Sequence, residues 1–207
     1  MRTRRFSIVL PLVVLLCWTA AATAQQPAAN SLSASEKADG WILLFDGRTL
    51  TDWSPTGNVD WKVEDGTITA TMGVGFLATT RPFGNFEFKT DFWIDKTANS
   101  GVFFRCGQGN PGGMNCYEAN IFDSHDRFPT GSINNVKTSL PDRPETVGKW
   151  NTFEVLADGS HLIVKVNGRT TVDAQDMKLA SGTVALQQGG ANAVGTVRFR
   201  NVKIRPR

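Results

Sequence analysis

From residue 40 onward, short apolar runs follow one another between glycine-containing turns, and no long stretch keeps a helical period. Phe86, Phe88, Thr90, Phe92 and Ile94 share one parity, while Glu87, Lys89, Asp91 and Trp93 share the other. That alternation predicts a strand with one buried and one solvated face. Leu162, Val164 and Val166 alternate next, and Asn167-Gly168 predicts a tight hairpin into Thr170–Val172. Val184, Leu186 and Gln188 alternate with Thr183, Ala185 and Gln187. In the last segment Val197 and Phe199 share one parity, but Val202 and Ile204 share the other. A bulge near Arg200-Asn201 restores the core face. About a dozen such strands predict an all-β fold of two packed antiparallel sheets. A helical turn is expected within residues 142–147 or 174–178.

The ends of the chain read differently. Arg2, Arg4 and Arg5 precede the apolar run Phe6 to Ala22, and Ala22-Thr23-Ala24 is a small-x-small cleavage site. Residues 1–24 are therefore expected to be a signal peptide, with export to a bacterial periplasm or beyond and no membrane segment after cleavage. Residues 25–39 are rich in Gln, Pro, Ala, Ser and Asn and are expected to be a flexible linker. The domain is expected over residues 40–207.

Export changes the meaning of the charge. The chain has 22 basic and 19 acidic residues, a formal net charge of +3. All three excess arginines lie in the leader, so the mature protein is neutral. A neutral domain argues against nucleic acid as a partner, since phosphate binding needs clustered cations. Export also makes a bridge between Cys106 and Cys116 plausible chemistry, closing a glycine-rich loop between two strand-like segments. The competing reading is a pair of buried thiols.

The densest polar stretch runs from Asn99 to Asn135. Glu118 and Asn120 share a strand face, and Arg105 lies on the preceding strand. One reading is a polar cleft in which Glu118 acts as acid or base and Arg105 as its charge partner. The other is a surface salt bridge, and the strand register decides between them. Asp123 and His125 follow in the adjoining loop, and His125 is a candidate for lining the cleft. Ser124-His125-Asp126 is not a triad, since adjacent loop residues cannot form the nucleophile–base–orienter chain. Glu118-x-Asn120-x-x-Asp123 is similar to the Glu-x-Asp-x-x-Glu strand of laminarinase-type glucanases, but with Asn in the middle and a shorter last acid. Trp93, on the polar parity of its strand, is a candidate for stacking on a sugar ring. Glu118, Asp123 and His125 lack a diagnostic metal spacing, and no cofactor is expected.

Taken together, these segments resemble the 3-keto-disaccharide hydrolase domain family. Gly40 to Trp53 resembles its "G-F-x-x-L-F-D-G-K-T-L-x-G-W" opening, and Trp61 to Ile68 its next strand pair. Asn99 to Arg105 resembles "N-S-G-I-F-F-R", Tyr117 to Asp123 "Y-E-x-Q-I-x-D", and Gly148 to Glu154 "G-E-W-N-x-x-E". Leu186-Gln187 and Val197–Ile204 resemble its closing strands. The resemblance implies a concanavalin A-like or laminin G-like jelly-roll sandwich. It also implies a carbohydrate partner, a glycoside oxidised at C3 and cleaved by C2 proton abstraction, elimination and hydration. On that chemistry Glu118 is the candidate base and Arg105 the enolate or substrate clamp. Asn120, Asp123, His125, Gln187 and Trp93 are the candidate substrate contacts. The alternative is a non-catalytic carbohydrate-binding module on the same scaffold. One departure stands out: the family often closes with "L-Q-x-H-G", and Gly189 occupies the histidine position here.

Overall fold

The computed structural model describes residues 28–189 and 194–207. The expected leader lies outside them. Among the described residues there is one short helix, α1 (Ala34–Ala38), and thirteen strands. The eight-stranded sheet contains β1 (Ile42–Leu43), β3 (Lys62–Glu64), β4 (Thr67–Met72) and β6 (Phe86–Ile94). It is completed by β9 (Trp150–Asp158), β10 (His161–Val166), β11 (Arg169–Gln175) and β13 (Val194–Pro206). Its order is β11-β10-β9-β6-β13-β4-β3, with β1 added to β13. The five-stranded sheet is β2 (Trp53–Gly57), β5 (Gly75–Thr79), β12 (Thr183–Gln188), β7 (Ser100–Cys106) and β8 (Tyr117–Ile121), in that order. All pairings are antiparallel, and the two sheets form a jelly-roll sandwich.

The core follows from the alternation. Phe86, Phe88, Phe92 and Ile94 face inward from β6, and Phe153 and Val155 from β9. Val102, Phe104, Tyr117, Ala119 and Leu186 meet them from the smaller sheet. Asn167 and Gly168 both have positive φ, the conformation a two-residue hairpin requires. The bulge in β13 lies where the parity change demands it. The register shifts between Arg200 and Lys203, and Asn201 has φ 54°.

Two expectations meet a different chain. Residues 142–147 and 174–178 form no helix. The helix instead lies within the stretch read as a linker, where Ser33 and Glu36 cap it reciprocally. This arm is docked. The Asn30 backbone N–H donates to Asn201 Oδ1 at 2.7 Å, and the Asn201 N–H to Asn30 Oδ1 at 2.8 Å. Glu36 pairs with Lys203. From Ala28 on, the arm is thus fastened to the outer face of the larger sheet.

Candidate functional site

Tyr117, Ala119 and Ile121 point into the core, so Glu118 and Asn120 project from the outer face of the five-stranded sheet. The register assembles their neighbours. Phe103 lies opposite Glu118, and Gly101 opposite Asn120. Phe76 lies opposite Gln187 and Thr56. Because Leu186 pairs with Val102, Gln187 stands beside Gly101. One row across the sheet therefore reads Thr56, Phe76, Gln187, Gly101, Asn120. Gly101 makes a dip in it: a β-carbon there would meet Phe103 Cε2 at 3.3 Å and Glu118 Cγ at 3.4 Å. Phe76 and Phe103 pack edge to face, with centroids 4.8 Å apart. Phe76 is half-buried and supplies an aromatic wall that the sequence reading missed. The signal was available in its parity with Gln187, once β5 and β12 are known to pair.

The free edge of β8 is extended by a short segment. Ile133 bridges Ala119, the Asn134 N–H donates to Glu118 O at 2.9 Å, and the Asn120 N–H donates to Ser132 O at 3.0 Å. Asn134 is thereby the cross-strand partner of Glu118. Burial raises the Glu118 carboxyl above the usual carboxylate range, while a hydrogen bond from the Asn134 side chain pulls it back. Gln187 Oε1 and Asn134 Oδ1 are buried with no partner among the described residues.

Arg105 is not beside Glu118. Alternation from Phe103 would place it on the Glu118 side, but β7 carries a bulge there. Arg105 has φ 50°, and the register with β12 slips between Thr183 and Ala185. The slip turns Arg105 inward, where it is 1% exposed. Its Nη1 donates to Gly159 O at 2.7 Å and Leu179 O at 3.0 Å. Its Nε donates to Gly84 O and its Nη2 to Asn85 Oδ1, both at 3.1 Å. A guanidinium so engaged is a clamp on the scaffold, not on a substrate. The same slip puts Cys106 on the outer face, where it bonds Cys116.

The other candidates are also placed. Trp93 projects from the outer face of the larger sheet, beside Trp150 and under Arg198, on the far side of the sandwich from Glu118. It cannot stack on a sugar held there. Asp123 accepts from the Thr146 N–H at 2.7 Å and Thr146 Oγ1 at 2.8 Å, which closes the loop after β8. His125 Nδ1 accepts from the N–H groups of Arg127 and Phe128, at 3.2 and 3.0 Å, and so braces the same loop. Asn120 is 1% exposed, and its Nδ2 donates to Phe128 O. It holds the loop against the sheet and is not free for a ligand. Gly189 has φ 102°, and a β-carbon there would lie 2.6 Å from Gly73 O. No histidine fits without moving the backbone.

The sequence matches the profile of the 3-keto-alpha-glucoside-1,2-lyase-like domain over residues 40–205. It is 27% identical over 161 residues to a 3-keto-disaccharide hydrolase of Bacteroides thetaiotaomicron, covering 61% of this chain and 56% of that protein. The chain thus spans little more than half the length of that relative. Among solved structures it is similar to a candidate glycosyl hydrolase from Parabacteroides distasonis, with TM-score 0.77 and 24% identity. That match covers 87% of this chain and 100% of the other. It also shares the fold of the carbohydrate-binding module CBM66 from Bacillus subtilis, with TM-score 0.56 and 21% identity over 75% of this chain and 96% of that one. By the match along residues 40–205, this chain belongs to the 3-keto-alpha-glucoside-1,2-lyase-like domain family.

Proposed function

We propose that the protein cleaves 3-keto-glycosides on the outer face of the five-stranded sheet, with Glu118 as the base. The observation that carries this reading is a desolvated carboxylate beside a dip and an aromatic wall. A carboxyl raised above its usual range is a stronger base when ionised, and is poised nearer neutrality. The relative named a 3-keto-disaccharide hydrolase supplies the substrate class.

A ketone at C3 acidifies the C2 proton. Glu118 takes that proton, and the electron pair passes into the enolate. The enolate re-forms the ketone as the C1–oxygen bond breaks, and the departing oxygen receives the proton from Glu118. The resulting C1=C2 double bond adds water, hydroxyl to C1 and hydrogen to C2, which completes a net hydrolysis. Phe76 packs against one face of the ring, and the Gln187 amide serves its hydroxyls. The Cys106–Cys116 bridge supports export to an oxidising compartment.

Arg105 is engaged elsewhere, and that favours a second reading, a module that binds carbohydrate without cleaving it. Incubation with a 3-keto-disaccharide and its unoxidised parent, side by side, separates the two. Product from the keto sugar alone, lost in Glu118→Gln, supports the enzyme. Saturable binding of either sugar without turnover supports the module.

A further inference from the structure

We propose that the outer face of the eight-stranded sheet carries a separate carbohydrate site, a hollow that takes one ring of a neutral pyranoside. The site lies on the far side of the sandwich from Glu118 and does not depend on the catalytic reading. The outward positions of β9 and β10 include Thr152, Glu154, His161 and Lys165, as a solvated face should. Leu156 and Ile163 break that pattern. They are direct cross-strand partners, both half-buried on the outer parity. The docked arm adds a third apolar group. The Trp41 N–H donates to Glu36 O at 3.0 Å, and the indole ring lies 5.7 Å from Lys203 Nζ and 5.3 Å from Arg205 Cζ. Trp41, Leu156 and Ile163 belong to neither buried cluster of the sandwich. They line instead a hollow of about 160 Å³, together with Glu87, Glu154 and Lys165.

The lining says what fits. The hollow is smaller than the roughly 300 Å³ at which drug-sized pockets begin, so it holds one small ring and not a peptide segment. Both carboxylates at its rim are already balanced. Glu87 pairs with Arg205 and Arg207, each at 2.7 Å, and Glu154 with Lys89 at 3.3 Å. Neither therefore calls for a cationic ligand, yet each keeps lone pairs that can accept from hydroxyls. Lys165 Nζ and Trp41 Nε1 have no hydrogen-bond partner among the described residues and supply donors. An apolar floor, an aromatic wall and a rim of both acceptors and donors match a pyranose, which has a C–H face and an edge of hydroxyls.

The test is an NMR titration of the whole chain with the methyl glycosides of glucose, galactose, mannose and xylose, and with methyl glucuronide as a charged control. A neutral glycoside is expected to shift the Trp41 indole N–H and the amides around Leu156 and Ile163, saturating in the millimolar range. Glu118→Gln should leave that titration unchanged. Ile163→Lys puts a charge on the apolar floor at an outward position, so it should keep the melting temperature and weaken binding by roughly tenfold or more. Trp41→Ala should weaken it likewise, and Ile163→Lys decides the matter if loss of the indole undocks the arm. No shift at Trp41 with any neutral glycoside overturns the proposal. So do shifts confined to the residues around Glu118, binding of the glucuronide alone, or an unchanged affinity in folded Ile163→Lys. A wild type inert toward keto sugars strikes the catalytic reading instead and leaves this titration standing.

Discussion

Glu118 stands directly across the strand pair from Phe103, whose ring is itself packed edge to face against Phe76. An ionisable group facing an aromatic cluster is desolvated, and this is the first cause of its raised carboxyl.

That desolvation has a sign in stability. A carboxyl raised in the folded state favours folding at pH below its unfolded value, and this contribution is lost as pH rises through the folded one. Glu118→Gln removes the dependence. The variant should melt at higher temperature than the wild type at neutral pH and at a similar temperature in acid, as read by calorimetry. Turnover of a 3-keto-disaccharide should fall by about a hundredfold to ten-thousandfold.

Arg105 should behave as a structural residue. Arg105→Lys keeps the charge but cannot reach the four acceptors that the guanidinium fork satisfies. Chemical denaturation should show a loss of about 3–5 kcal/mol. The pH dependence of any remaining turnover should match the wild type.

Gly101→Ala tests the dip. Its backbone is not in the left-handed region, and the new methyl would touch Ala119 O and Phe103 at 3.3 Å. The cost to stability should stay within about 1–2 kcal/mol. The methyl stands between Gln187 and Asn120, so KM for a keto sugar should rise by roughly tenfold or more.

The disulfide should matter for stability more than for chemistry. The bridged cysteines are 10 residues apart, which in the chain-entropy model contributes about 3 kcal/mol. The Cys106→Ala, Cys116→Ala double variant should lose about that much in denaturation and retain the Glu118 titration.

Much of this was readable in the residues. The alternation of β6 names its core face, Asn167-Gly168 names its hairpin, and the parity change in β13 names its bulge. The shared face of Glu118 and Asn120 follows from spacing alone. The bulge at Arg105 does not, because it adds one residue without a glycine or a change of hydrophobic parity to mark it. Trp93 shows a second limit. Its parity tells that it faces solvent, but not from which sheet. The Asp123, His125 and Asn120 side chains show a third: a polar residue holding a loop and one holding a ligand look alike until their partners are known. The capping box Ser33-x-x-Glu36 was present in the sequence and marks the short helix that composition hid.

The docked arm has a practical consequence. Asn30 and Glu36 sew it to the outside of the eight-stranded sheet, on the flank opposite Glu118. An anchor attached ahead of Ala28, whether to a bead, a surface or a fused partner, leaves the carboxylate side open to incoming sugars.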